Sequence, residues 1–256
     1  MVQTLPLGLW RRIERQFIPL LVATLLPILL LPSTASSDAK SRWLLFTLMA
    51  VIILQSMRSL PAVARSHASQ LWLLAYRLMG GVALATSLGF IPFGEHSNTA
   101  FKAMLVCLGL FLVMTSVRLV MLLARVPQVN GQVMAGAAAG YVLLGLTGGV
   151  LATTTQTFKP GSFLLGAGTN QEALLDRLTY FSFVTLAGLG YGDVLPGNPF
   201  GERFAILLSI GGTLYVALLV GLLLGRYISS EELKILELEE EVARKDSQHH
   251  SSSKPQ

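Results

Sequence analysis

Charge and cysteine are both scarce in this chain, and each scarcity removes a class of function. Only 13% of its 256 residues are Asp, Glu, Lys or Arg, against roughly 25% in a soluble globular domain. The single cysteine, Cys107, excludes an intrachain disulfide and a cysteine-rich metal cluster, and in its apolar run it reads as a small buried hydrophobe. The apolar stretches hold no grouped His, Cys or carboxylate and no nucleophile beside a base, so an enzyme is not expected. His67 and His96 fall in loops with no partner in sight. No dinucleotide fingerprint, P-loop or EF-hand is present, so no cofactor is expected. The net charge is +5, yet the basic residues form no patch for nucleic acid; they punctuate the ends of apolar runs, as membrane topology requires. What fills the chain instead is apolar: 52% of residues, with a mean hydropathy of +0.61.

Six runs approach or exceed the roughly 20 residues that span a bilayer: Phe17–Leu31, Trp43–Leu60, Leu71–Ile91, Ala100–Ala124, Val133–Thr153 and Phe204–Tyr227. A seventh, Glu172–Leu186, is too short to cross and suits a re-entrant helix, buried by protein or reached by water. The first run is the weakest, with Pro19 and Pro27 inside it; Ser33-Thr34-Ala35 after it resembles a cleavage site, but a retained span is the expectation. Arg11, Arg12, Arg15, Arg58, Arg65, Arg118, Arg125 and Arg226 fall on one side of the spans, which places both termini in the cytoplasm. The expected organisation is a cytoplasmic N-terminus (1–16), a four-helix membrane domain (17–126) and a second membrane domain (131–228). A cytoplasmic acidic helix (229–246), opened by Ser229 or Ser230, and a disordered tail (247–256) would follow. Whether the acidic helix is solvated or bundles around an axis is open.

Between the fifth and sixth spans runs Thr185-Leu186-Ala187-Gly188-Leu189-Gly190-Tyr191-Gly192-Asp193. Gly-Tyr-Gly-Asp behind an aromatic segment, Tyr180-Phe181-Ser182-Phe183-Val184-Thr185, and flanked by long spans resembles the pore loop of the potassium channel superfamily. The resemblance covers Ala135 to about Arg226, the two-span pore module of prokaryotic channels. It implies an all-α membrane protein with six transmembrane helices, a re-entrant pore helix and a selectivity-filter loop, assembled as a homotetramer in the inner (plasma) membrane. Gly188, Leu189, Gly190, Tyr191, Gly192 and Asp193 would form the filter, with K+ held by the backbone carbonyls of Gly188, Leu189, Gly190 and Tyr191 in place of its hydration shell. Tyr191 would turn its ring toward the pore helix, and Asp193 would sit at the outer mouth. Tyr180, Phe181 and Thr185 would support the filter, while Pro196 and Pro199 would punctuate the exit to the last span. The permeant K+ ions are the only ligands implied.

One position departs from the family pattern. Gly188 stands where the family places threonine, and Ala187 where a second is common, so a tetramer lacks the inner ring of hydroxyls. The expectation is a weaker innermost site. Gly211 and Gly212 in the last span are candidates for a gating hinge, with close packing of small residues as the alternative. The fourth span carries only Arg118 and Arg125, not an arginine at every third position, so steep voltage sensing is not expected; Arg118 should snorkel to the interface, and Arg77 should be interfacial. Three functions stay open: a potassium-selective channel, a weakly selective monovalent cation channel, and a non-conducting accessory subunit. The gating stimulus is not legible, and an unidentified regulatory subunit could supply it.

Overall fold

The computed structural model describes residues 14–30, 39–59, 67–93, 98–124, 126, 129–165 and 171–217, with positions 221, 225, 228 and 239 beyond them. The expected acidic helix, disordered tail, cleavage-site motif and Arg125 therefore lie outside the described residues, but for Glu239, which is helical.

Seven helices carry nearly all of the described structure. They are α1 (Phe17–Leu30), α2 (Ala39–Ser59), α3 (His67–Phe93), α4 (Asn98–Leu123), α5 (Gly131–Phe158), α6 (Gln171–Leu186) and α7 (Pro199–Ala217). The first five form a closed ring, each packed on the next and α1 returning to α5. Phe17, Leu20, Ile52, Ile53, Leu105, Leu108 and Phe111 fill the interior of that ring. Among the described residues, three helical stretches are long and apolar enough to cross a membrane: Thr99–Leu123, Gly131–Phe158 and Pro199–Ala217; Phe17–Leu30, Thr47–Ser59 and Leu73–Ser87 are shorter apolar stretches.

Helix α5 is the mast of the fold because glycine leaves its surface bare where neighbours arrive. A Cβ at Gly136 would strike the Phe17 ring, and one at Gly140 the Tyr215 hydroxyl. At Gly145, Gly148 and Gly149 it would meet Phe183, Ser182 and Thr179 of α6. In lipid, where apolar burial drives helices together weakly, such close approach and interhelical hydrogen bonds hold a bundle. Both are present. The Ser182 hydroxyl donates to the Gly145 carbonyl at 2.7 Å, the Tyr215 hydroxyl donates to the Ala137 carbonyl at 2.7 Å, and Ser116 of α4 meets Thr147 at 3.2 Å.

Two boundaries differ from the sequence expectation for identifiable reasons. Helix α5 runs on to Phe158 rather than stopping near Thr153, and the hydroxyls of Thr153, Thr154, Thr155 and Thr157 each donate to the carbonyl four residues earlier. Such bonds do not strengthen a helix, but they pair the hydroxyls within it, so the end of the apolar run is not the end of the helix. Helix α7 starts at Pro199, not Phe204: Asn198 accepts from the Phe200 and Gly201 amides at 3.0 and 3.1 Å, and Pro199 occupies the first helical position, where a missing N–H costs nothing. Pro199 thus opens the last helix instead of standing before it.

Arg118 is a further correction. It does not snorkel; its guanidinium lies over the Tyr76 ring, 4.4 Å from the centroid. Tyr76 in turn stacks on Phe111 at 5.2 Å and shares a hydrogen bond of 3.1 Å with Thr115. A cation over a desolvated aromatic face is stabilised by the ring quadrupole, so the charge is accommodated between α3 and α4. Arg77, by contrast, is exposed.

Candidate functional site

The site begins where α6 ends. Gly188 N–H donates to the Thr185 carbonyl at 3.1 Å and Leu189 N–H to the Val184 carbonyl at 2.9 Å, while Gly188 has φ of 73°. This pair of bonds around a left-handed residue is the Schellman ending, in which glycine serves because side chains resist that conformation. The residue that departs from the threonine pattern is therefore the C-terminal cap of the helix before it. The sequence carries a signal for this, a glycine just past an apolar helix, which the comparison with threonine alone reduces to a missing hydroxyl.

Beyond the cap, φ is positive at Gly188 (73°), Gly190 (56°) and Gly192 (80°), and at no non-glycine among the described residues. Leu189 and Tyr191 thus alternate in sign with their neighbours. An added Cβ at any of the three glycines would meet nothing within 4 Å, so their requirement is conformational rather than steric. Among the described residues, no protein group donates a hydrogen bond to the carbonyls of Gly188, Leu189, Gly190 or Tyr191. All of residues 187–193 are exposed in the single chain, Leu189 to 57% and Tyr191 to 66%.

The expected supporting residues divide between two faces of α6. Phe181 is buried and meets Phe163 at 5.1 Å. Tyr180 lies on the exposed face, close to both Asp193 and Tyr191. Thr185 contributes its carbonyl to the cap of α6.

The limb after the glycine run is fixed by parts that hydropathy does not announce. Val194 is buried with Phe163, Leu178 and Phe181. Strands β1 (Phe163–Leu164) and β2 (Leu195–Pro196) pair antiparallel, so the fold is not purely helical. Gly197 N–H donates to the Ser162 carbonyl at 2.8 Å, and Asn198 Nδ2 to the Ser162 hydroxyl at 3.2 Å. Two-residue strands have no legible periodicity; only Gly197-Asn198-Pro199 could have signalled the turn and helix cap.

The two hinge candidates behave differently. A Cβ at Gly212 would collide with the Leu186 carbonyl at the end of α6, whereas one at Gly211 would meet nothing within 4 Å. Gly212 is a packing glycine; Gly211 is unconstrained by neighbours in the single chain.

Residues 139–229 match a family model described as "Ion channel". The match supports an ion channel of the potassium channel superfamily, and it takes in most of α5, all of α6, the glycine run and α7. No curated protein and no solved structure matches the chain.

Proposed function

We propose that this protein is a potassium channel, four copies of which surround one pore. The observation that carries this reading is the run of uncommitted carbonyls from Gly188 to Tyr191 on a backbone whose φ alternates in sign. Alternation of this kind turns successive peptide planes the same way, collecting N–H groups on one side and carbonyls on the other. Carbonyls so collected replace the hydration shell of a monovalent cation. One chain supplies one such strand, too few to surround an ion, and the exposure of Leu189, Tyr191 and one face of α7 is consistent with cover from further copies. Helix α6 ends at the inner end of the run, where the negative pole of its macrodipole favours a cation. In this reading α6 is re-entrant, α1 to α5 and α7 make six spans, both termini are cytoplasmic, and the protein sits in the plasma membrane. Purified protein should have the native mass of a tetramer and, in lipid vesicles, carry potassium flux that Gly190→Ala abolishes. A monomer, or flux indifferent to Gly190→Ala, overturns the proposal.

A weakly selective cation channel is the second reading, favoured by one observation. The Gly188 position is committed to ending α6, so no hydroxyl lines the inner end of the filter. The measurement that separates the two readings is relative permeability.

A further inference from the structure

We infer that Gln156 is a positioning residue for the outer limb of the filter, acting as a side-chain third strand on β1; this rests on reading residues 188–193 as the filter. Phe163 faces Pro196 in the ladder, and the flanking bond runs from Gly197 N–H to the Ser162 carbonyl. The missing N–H of Pro196 therefore costs no bond there, and Phe163 is left with its own N–H and carbonyl turned away from β2. Gln156, from the last turn of α5, takes both. Phe163 N–H donates to Gln156 Oε1 at 2.8 Å, and Gln156 Nε2 donates to the Phe163 carbonyl at 3.3 Å.

At neutral pH a primary amide is the side-chain group of this reach that supplies one acceptor and one donor side by side; a carboxyl does so only when protonated. The clamp fixes Phe163, which is buried against Phe181 of α6 and edge-on to Phe204 of α7 at 5.9 Å. Val194, one residue after Asp193, is buried in the same cluster. Gln156 thus stands two contacts from the filter exit. It joins the end of α5 to the helix before the filter, the limb after it and the helix beyond.

A filter that binds ions is stabilised by them through mass action, so a loosened scaffold should demand more ions to stay conductive. In full-length protein in lipid vesicles, Gln156→Leu should raise the external potassium concentration for half-maximal flux by about threefold or more. Gln156→Glu separates hydrogen bonding from packing, because the two side chains have nearly the same shape. Ionised, the carboxylate turns a second acceptor on the Phe163 carbonyl; protonated, it donates there as the amide does. The Glu variant should therefore resemble the Leu variant at an external pH of about 8 and return toward wild type as the pH falls to about 4, through the ordinary carboxyl range, with wild type measured at each pH. A Glu variant with no pH dependence beyond that of wild type overturns the inference, as does a Leu variant with wild-type potassium dependence.

Amide exchange tests the clamp independently of conduction. Gln156→Leu should speed exchange at Gly197 about tenfold; exchange that changes at Phe163 alone overturns the inference. A silent wild type would refute the filter reading, and exchange would still decide the clamp.

Discussion

At the scale of single residues, the glycines carry the design, and they do so for two separate reasons. Gly188, Gly190 and Gly192 are needed for left-handed backbone, whereas Gly212 and the glycines of α5 are needed for their missing side chains. Placing an L-residue in the left-handed region costs roughly 1–2 kcal/mol, and more for a β-branched one. Gly188→Ala should destabilise the assembled protein by about 1 kcal/mol, and Gly188→Thr by more, even though threonine is the family's residue at that position. Thermal unfolding in detergent measures this, and a threonine variant as stable as wild type would contradict the capping role. Gly212→Ala should disrupt assembly or flux, because its methyl meets the Leu186 carbonyl, while Gly211→Ala should be tolerated structurally. Equal effects at both positions would show that packing does not distinguish them. Every one of these glycines is visible in the sequence, but not which reason applies to which. That depends on φ and on neighbours from distant parts of the chain.

At the scale of elements, the helices are legible to within a few residues wherever apolar composition decides their ends. The bounds expected for the run from Phe17 and for the short helix to Leu186 agree closely with those of α1 and α6, although α1 is among the apolar helices shorter than a span. Differences arise where polar residues satisfy themselves within a helix, as Thr153–Thr157 do in α5, or where a cap lies upstream of the apolar run, as Asn198 does for α7. Strands β1 and β2 and the Gln156 clamp have no legible period, and Arg118 finds an aromatic ring that only α3–α4 packing could bring to it. The bond from Tyr215 to the Ala137 carbonyl ties α7 to α5 just beyond Gly211 and Gly212, with Leu119 of α4 also at the Gly140 notch. Tyr215→Phe should cost about 0.5–1.5 kcal/mol and should shift the open fraction of the channel, since it frees the inner helix below its glycines. Single-channel open probability is the readout, and an unchanged value would place the tyrosine in packing alone.

For the whole molecule, the ring of five helices encloses its own core, whereas α7 and the glycine run are left largely uncovered in the single chain. Leu207 is 71% exposed and Ile210, Leu214 and Val216 about half, in a helix of which little is buried. Lipid would cover an apolar helix face, but it would not serve the exposed carbonyls of residues 188–191, which need a polar or cationic partner. Further copies around a shared ion path satisfy both demands, and the ion channel domain at residues 139–229 is compatible with such assembly. The measurement that bears most directly on this is the reversal potential of purified protein in a planar bilayer with potassium on one side and sodium on the other. Selectivity held by the carbonyls of residues 188–191 predicts a reversal displaced toward potassium, by about 59 mV for each tenfold preference. A reversal at zero, or no current, would contradict it.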